Sequence, residues 1–115
     1  AITDEAWAAI RSAVEQKGPV DVISDGEQTK FNFTGNPGMT VGGTGDVLSG
    51  IVGGLLAMGV DSFRAAAAGA FINGAAGDFV AAEKGYHMIP TDLLEYIPKV
   101  MNDPMCHLEV RRNQP

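Results

Sequence analysis

The 115-residue chain has a single cysteine, Cys106, which excludes an internal disulfide and every multi-cysteine metal cluster. Basic residues are also scarce: eight against fourteen acidic ones leave a net charge of −6. That balance supplies no electrostatic footprint for nucleic acid. So acidic a chain needs positive groups or a metal ion wherever it meets a phosphate ligand. Aromatic residues make up only 7% of the chain, so there are few large anchors to fill a core. The longest apolar run, residues 47–60, has fourteen residues, four of them glycine, well short of the roughly 20 a membrane span requires. Asp4 and Glu5 stand where a signal peptide carries basic residues. These absences lead us to expect a soluble protein of a reducing, cytoplasmic compartment. His87 and His107 are isolated, with no second ligand at helical spacing, and Cys106 has only His107 beside it. Neither a metal centre nor a reactive thiol is expected from them. The nucleotide loop ending in Gly-Lys-Ser/Thr is missing as well.

What is present is an apolar fraction of 45% and fifteen glycines, in a length that suits one domain with one modest core. Residues 3–17 read as a helix capped by Thr3, with Trp7, Ile10 and Val14 along one face. Lys17-Gly18-Pro19 stops it. Val20 to Ile23 and Thr29 to Phe33 read as two strands joined by the turn residues Ser24-Asp25-Gly26-Glu27. Residues 34–45 form a loop with five glycines and a proline. From Asp46 a helical pattern places Val47, Leu48, Ile51, Val52, Leu55 and Leu56 on one side, and Ser49, Gly50, Gly53 and Gly54 on the other. Helical glycine costs about 1 kcal/mol relative to alanine, so that second side suggests a neighbouring backbone pressed close. A second, Ala-rich helix over 62–83 has Asp61 or Ser62 as cap, glycines 69, 74 and 77 as flat contact points, and Lys84-Gly85 as its end. A third starts at Ile89-Pro90-Thr91, capped by Thr91, with Leu93, Leu94, Ile97 and Met101 as its buried stripe and a kink at Pro98. Residues 110–115 read as frayed.

Chemistry concentrates at Gly42-Gly43-Thr44-Gly45-Asp46, directly before a helix. The first turn of a helix leaves amide groups without partners, and they concentrate positive potential. Glycines let an anion reach those amides without meeting side chains. Asp46 then stands at the edge as a carboxylate able to take a proton from a hydroxyl that attacks a phosphoryl group. A bare Gly-x-Gly-Asp is more often only a turn and a cap. The twelve-residue glycine loop raises its weight. A dinucleotide fingerprint fits less well, because Leu48 takes the place of the third glycine. Asn73 and Asp78 are the polar residues of the second helix; Asp78 reads as an acceptor for backbone groups where that helix passes the loop. Trp7 and Phe71 read as core.

The run Thr34-Gly35-Asn36-Pro37-Gly38-Met39-Thr40-Val41-Gly42-Gly43-Thr44-Gly45-Asp46-Val47-Leu48-Ser49-Gly50 resembles the signature of the NAD(P)H-hydrate dehydratases, relatives of sugar kinases within the ribokinase-like fold. Lys17-Gly18-Pro19-Val20-Asp21, Asn73-Gly74-Ala75-Ala76-Gly77-Asp78 and Pro90-Thr91-Asp92-Leu93 resemble that family too, in the expected order, over roughly residues 17–102. The resemblance implies an α/β chain forming the carboxy-terminal part of a ribokinase-like fold: a hairpin or short strands, then three helices. It implies removal of water from the hydrated nicotinamide ring of NADHX or NADPHX, driven by ADP or ATP. Asp46 would contact the hydrated substrate and act as its base. Gly43, Thr44 and Gly45 would hold the nucleotide phosphates. Lys17, Gly18, Pro19, Val20 and Asp21 would lie against the nucleotide, and Asn73 beside the adenine. Mg²⁺ would accompany the nucleotide, held mainly by phosphate oxygens and water. Residues 11–16 read as helix where the family has an apolar strand, so residues 1–16 form an atypical leading segment. A homo-oligomer, or association with a missing amino-terminal portion, follows from the open sheet edge and apolar helix faces such a piece would carry. The alternatives are a small-molecule kinase of the same superfamily, acting on a sugar or vitamin-precursor alcohol, and a non-catalytic nucleotide-binding fragment.

Overall fold

A computed structural model of the chain describes residues 4–5, 20–39 and 42–112. Most of the leading helix expected over 3–17, including Trp7, lies outside the described residues, although Asp4 and Glu5 are helical. The hairpin forms as its turn chemistry suggests. Strands β1 (Asp21–Ser24) and β2 (Thr29–Asn32) pair antiparallel, Asp21 opposite Asn32 and Ser24 opposite Thr29. Between them the Asp25 carboxylate accepts from the Glu27 and Gln28 amides at 2.9 and 2.8 Å, and Gly26 takes the left-handed φ of +94°. The Gln28 amide foremost, then that of Glu27, holds the Asp25 carboxyl below its ordinary range.

Helices α1 (Thr44–Ala57) and α2 (Ser62–Lys84) follow, the second capped by the Asp61 carboxylate on the Arg64 amide at 3.0 Å. Thirteen of the 23 residues of α2 are buried, continuously from Ile72 to Val80. Burial all round a helix requires neighbours on every side, and alanine and glycine keep those neighbours close. Leu55, Ala65, Ile72, Ala75, Phe79 and Val100 make one apolar cluster; Ala76, Val80, Met88 and Leu93 make another. By length and composition α2 matches a membrane-crossing helix, yet most of its apolar window is buried within this fold.

The glycines of the two helices do different things. A Cβ at Gly69 would lie 3.7 Å from the Val52 Cα and closer still to its side chain, one at Gly74 would collide with Thr34, and one at Gly77 with Met39. These are the flat contact points expected. By contrast, among the described residues a Cβ at Gly50, Gly53 or Gly54 would meet nothing within 4 Å, so none of their backbone presses on that face. The expectation fails because α1 rests on α2 through Leu48, Val52 and Leu55, which turns the opposite, small-residue face outward.

The third helix also departs from the reading. Gly85, with φ +69°, ends α2, and a 3₁₀ turn spans Pro90–Glu95 before helix α3 (Ile97–Asn102). Thr91 does not cap it; the Asp92 carboxylate accepts from the Ile89 amide at 2.9 Å. The change from 3₁₀ to α winding rotates the register, so Leu93 and Val100 are fully buried while Leu94 and Met101 are exposed. Pro98 sits in the first turn of α3, where its missing N–H costs nothing, and starts the helix rather than kinking it. A 3₁₀ turn (Pro104–Cys106) leads into helix α4 (His107–Arg112), so residues 110–112 are helical where fraying was expected, and residues 113–115 lie outside the described residues.

Candidate functional site

A cleft of about 510 Å³ opens between the exit of the hairpin, the loop 33–39, the start of α1 and the middle of α2. Its walls are built by short-range rules. Gly74 has no side chain, so Thr34 sits directly on α2. The Thr34 hydroxyl lies 3.0 Å from Asn32 Oδ1 and 3.3 Å from the Phe71 carbonyl. Asn32 in turn donates to Asp21 Oδ2 at 2.8 Å and to the Ala70 carbonyl at 3.1 Å, fastening the hairpin to the helix. Asp78, fully buried, accepts from the Gly35 amide at 3.1 Å and the Asn36 side-chain amide at 3.0 Å, which is the role expected of it. On the far wall, the Thr44 hydroxyl donates to the Met39 carbonyl at 3.0 Å.

Into this cleft faces Asn73, 8% exposed, whose Oδ1 is buried without a hydrogen-bond partner. An acceptor left so costs about 1–3 kcal/mol, and a donor entering the cleft would recover it. Beside it α1 opens on Gly43, at φ +105°, with no side-chain cap. The Gly43 carbonyl accepts from the Asp46 and Val47 amides at 3.1 and 3.2 Å, as in an ordinary first turn. Among the described residues a Cβ at Gly42 or Gly45 would meet nothing within 4 Å, so they leave the approach to the helix start open.

Four of the residues singled out from sequence, Val20, Asp21, Thr44 and Asn73, therefore line one cleft. Gly43 packs on Pro90 instead, and Gly45 and Asp46 stand exposed in the first turn of α1, outside the cleft lining. Lys17, Gly18 and Pro19 lie outside the described residues. Sequence reading missed Thr34, Gly35 and Asn36 as cleft walls, although the Thr-Gly-Asn-Pro-Gly run was the available signal. It also set aside His107, which reaches Asp78 at 2.7 Å and has no local signal. Phe71 is half-buried, edge-on to the His107 ring at 5.6 Å. Among the described residues no three of His, Cys, Asp and Glu converge as a metal centre.

The fold and site define an α/β unit in which a largely apolar cleft with a few polar side chains ends at an uncapped, glycine-flanked helix start. Comparison with known proteins gives that unit its family. The family model described as NAD(P)H-hydrate dehydratase matches residues 1–99, and the chain belongs to that family. It is 50% identical over 101 residues, 88% of its length, to the bifunctional NAD(P)H-hydrate repair enzyme Nnr of Pyrobaculum aerophilum. It is 53% identical over 93 residues, 81% of its length, to the ADP-dependent (S)-NAD(P)H-hydrate dehydratase of Cenarchaeum symbiosum. The Nnr protein of Methanocaldococcus jannaschii is 50% identical over 80% of the chain. The chain spans 20%, 32% and 18% of the lengths of these three relatives, respectively.

Proposed function

We propose that this chain carries the nucleotide-facing part of an enzyme that dehydrates hydrated NADH or NADPH at the expense of ADP or ATP. The observation that carries the reading is the buried, unpaired Asn73 Oδ1 in a cleft that runs to the open start of α1. An amino group on a nucleobase supplies the donor that this oxygen lacks. Val20, Asp21 and Asn73 then hold the base and sugar, with Lys17, Gly18 and Pro19 extending that wall. Gly43, Thr44 and Gly45 receive the phosphates, where the helix start favours negative charge. The name of the Cenarchaeum symbiosum relative specifies ADP, which supports a nucleotide in this cleft.

Thr44 faces the cleft, and Asp46 is two residues further along the helix, on another side of it. In this arrangement nucleotide and hydrated ring approach the helix start from different sides. Asp46 takes the proton of the ring hydroxyl as its oxygen attacks the phosphoryl group. Phosphorylation turns that hydroxyl into a good leaving group; phosphate departs with the C–O bonding electrons, and loss of a ring proton restores the double bond. Mg²⁺ fits only as a companion of the nucleotide, held by phosphate oxygens and water, because the described residues offer no metal centre of their own. The parent architecture in this reading is ribokinase-like, the setting cytoplasmic. The exposed small-residue face of α1 is covered by another copy or by an amino-terminal portion.

Titration calorimetry with ADP, ATP and AMP, together with loss of the hydrate absorbance band of NADHX, tests this reading. Heat with ADP or ATP and disappearance of the hydrate are the expected outcomes. Heat without turnover would favour the non-catalytic nucleotide-binding reading, which the exposure of Asp46 makes the second choice. No heat with any nucleotide would overturn the assignment of the cleft.

A further inference from the structure

Residues 100–112 lie beyond the matched family region, yet several of their side chains pack into the molecule, and one of them is polar. His107, the first residue of α4, is 5% exposed and places Nε2 at 2.7 Å from Asp78 Oδ2. Asp78 is fully buried, and the same carboxylate accepts from the Gly35 amide and the Asn36 side chain. Asn36 is itself oriented, since its Oδ1 accepts from the Gly38 amide at 3.0 Å. Gly35 and Asn36 form part of the cleft wall. One carboxylate therefore joins the carboxy-terminal helix to the loop that shapes the cleft.

We propose that His107 is a positioning residue for the nucleotide cleft, acting through Asp78 on Gly35 and Asn36. A buried carboxylate keeps its charge only while hydrogen-bond donors surround it. With Nε2–H donating to Oδ2, the carboxylate is held with its remaining lone pairs toward the loop. Without that donor the Asp78 carboxylate loses the bond that fixes its orientation and turns from its place. The acceptors it offers the Gly35 amide and Asn36 shift with it, and the wall moves. The inference rests on the nucleotide reading for its functional consequence, but its structural half stands independently of any ligand.

The experiment uses the full chain labelled with ¹⁵N. In His107→Leu, which keeps bulk but donates nothing, the Gly35 amide and Asn36 side-chain resonances should move, and ADP affinity should fall about tenfold. Val110→Ala is the control, because Val110 packs α4 on the apolar core and its side chain has no group to donate to Asp78. It should lower thermal stability while leaving those resonances and ADP affinity in place. His107→Gln restores a donor and should bring the loop resonances and affinity back toward the wild type; it also serves as the test if the leucine variant does not fold. Unmoved Gly35 and Asn36 resonances in a folded leucine variant would overturn the proposal. So would equal effects of Val110→Ala, or a folded glutamine variant as impaired as the leucine one. Should wild-type protein bind no ADP, the nucleotide reading fails, while the resonance measurement still decides the role of His107.

Discussion

Gly43 and Pro90 are packed so tightly that a Cβ on Gly43 would lie 2.6 Å from the Pro90 Cγ. The same glycine holds φ at +105°, a conformation that side chains rarely adopt. The start of α1 is thereby fixed against the 3₁₀ turn at Pro90–Glu95, across more than forty residues of chain. Gly43→Ala should destabilise the fold by about 1–3 kcal/mol through backbone strain and collision with a rigid ring. Thermal denaturation with an unchanged melting temperature would contradict this.

Gly45, two positions on, has no described residue within 4 Å of where its Cβ would stand. Alanine there should stabilise the helix by about 0.5–1 kcal/mol. If phosphates approach this turn, the added methyl should also weaken ADP binding. Higher stability with weaker binding is the expected pair of results; unchanged affinity would move the phosphates away from Gly45.

Asn73→Leu separates folding from binding at the unpaired oxygen. Removing a buried acceptor that has no partner should leave stability level or raised. Loss of the ligand contact should weaken ADP about tenfold. Stability and affinity, measured on the same preparation, should move apart; a fall in both would mean that Asn73 serves the fold instead.

Asp46→Asn should lower turnover by about 10²–10⁴-fold, the range for loss of a general base, with ADP binding largely kept. Calorimetry and hydrate consumption read the two quantities separately. Comparable loss in both would reject the base role.

Tyr96 makes the alkaline limit of stability testable. Its hydroxyl donates to Glu83, and that bond, with burial and the Glu83 charge, pushes the phenol up to about 12 from its ordinary 10. The ring also stacks on Phe79 at 5.4 Å. A raised acid favours the protonated form in the folded state. Its contribution is therefore complete below pH 10 and is lost as pH climbs from about 10 through 12. Urea midpoints across that window should fall more steeply for the wild type than for Tyr96→Phe, which keeps the stack but has no proton to lose.

The elements legible in the sequence were those set by neighbours a few residues apart. The Asp25-Gly26 turn, the Asp61 cap, the Gly85 stop and the glycine contacts of α2 follow from local backbone chemistry and spacing. The glycine loop ending at Asp46 announced an open helix start for the same reason. The third helix was misread because apolar spacing cannot say where 3₁₀ winding gives way to α, and a single register change exchanges Met101 for Val100 in the core.

By itself, then, the order of residues determined the hairpin, the central alanine-rich helix, the position of the glycine loop and the family resemblance, because each rests on local conformational preference or an unbroken motif. Only the tertiary structure decided which helix face is covered, that Asn73 faces a cleft with its oxygen unpaired, and that His107 meets Asp78. Those outcomes depend on packing between groups far apart in the chain, 29 positions for His107 and Asp78, where no periodicity links one residue to its neighbour in space.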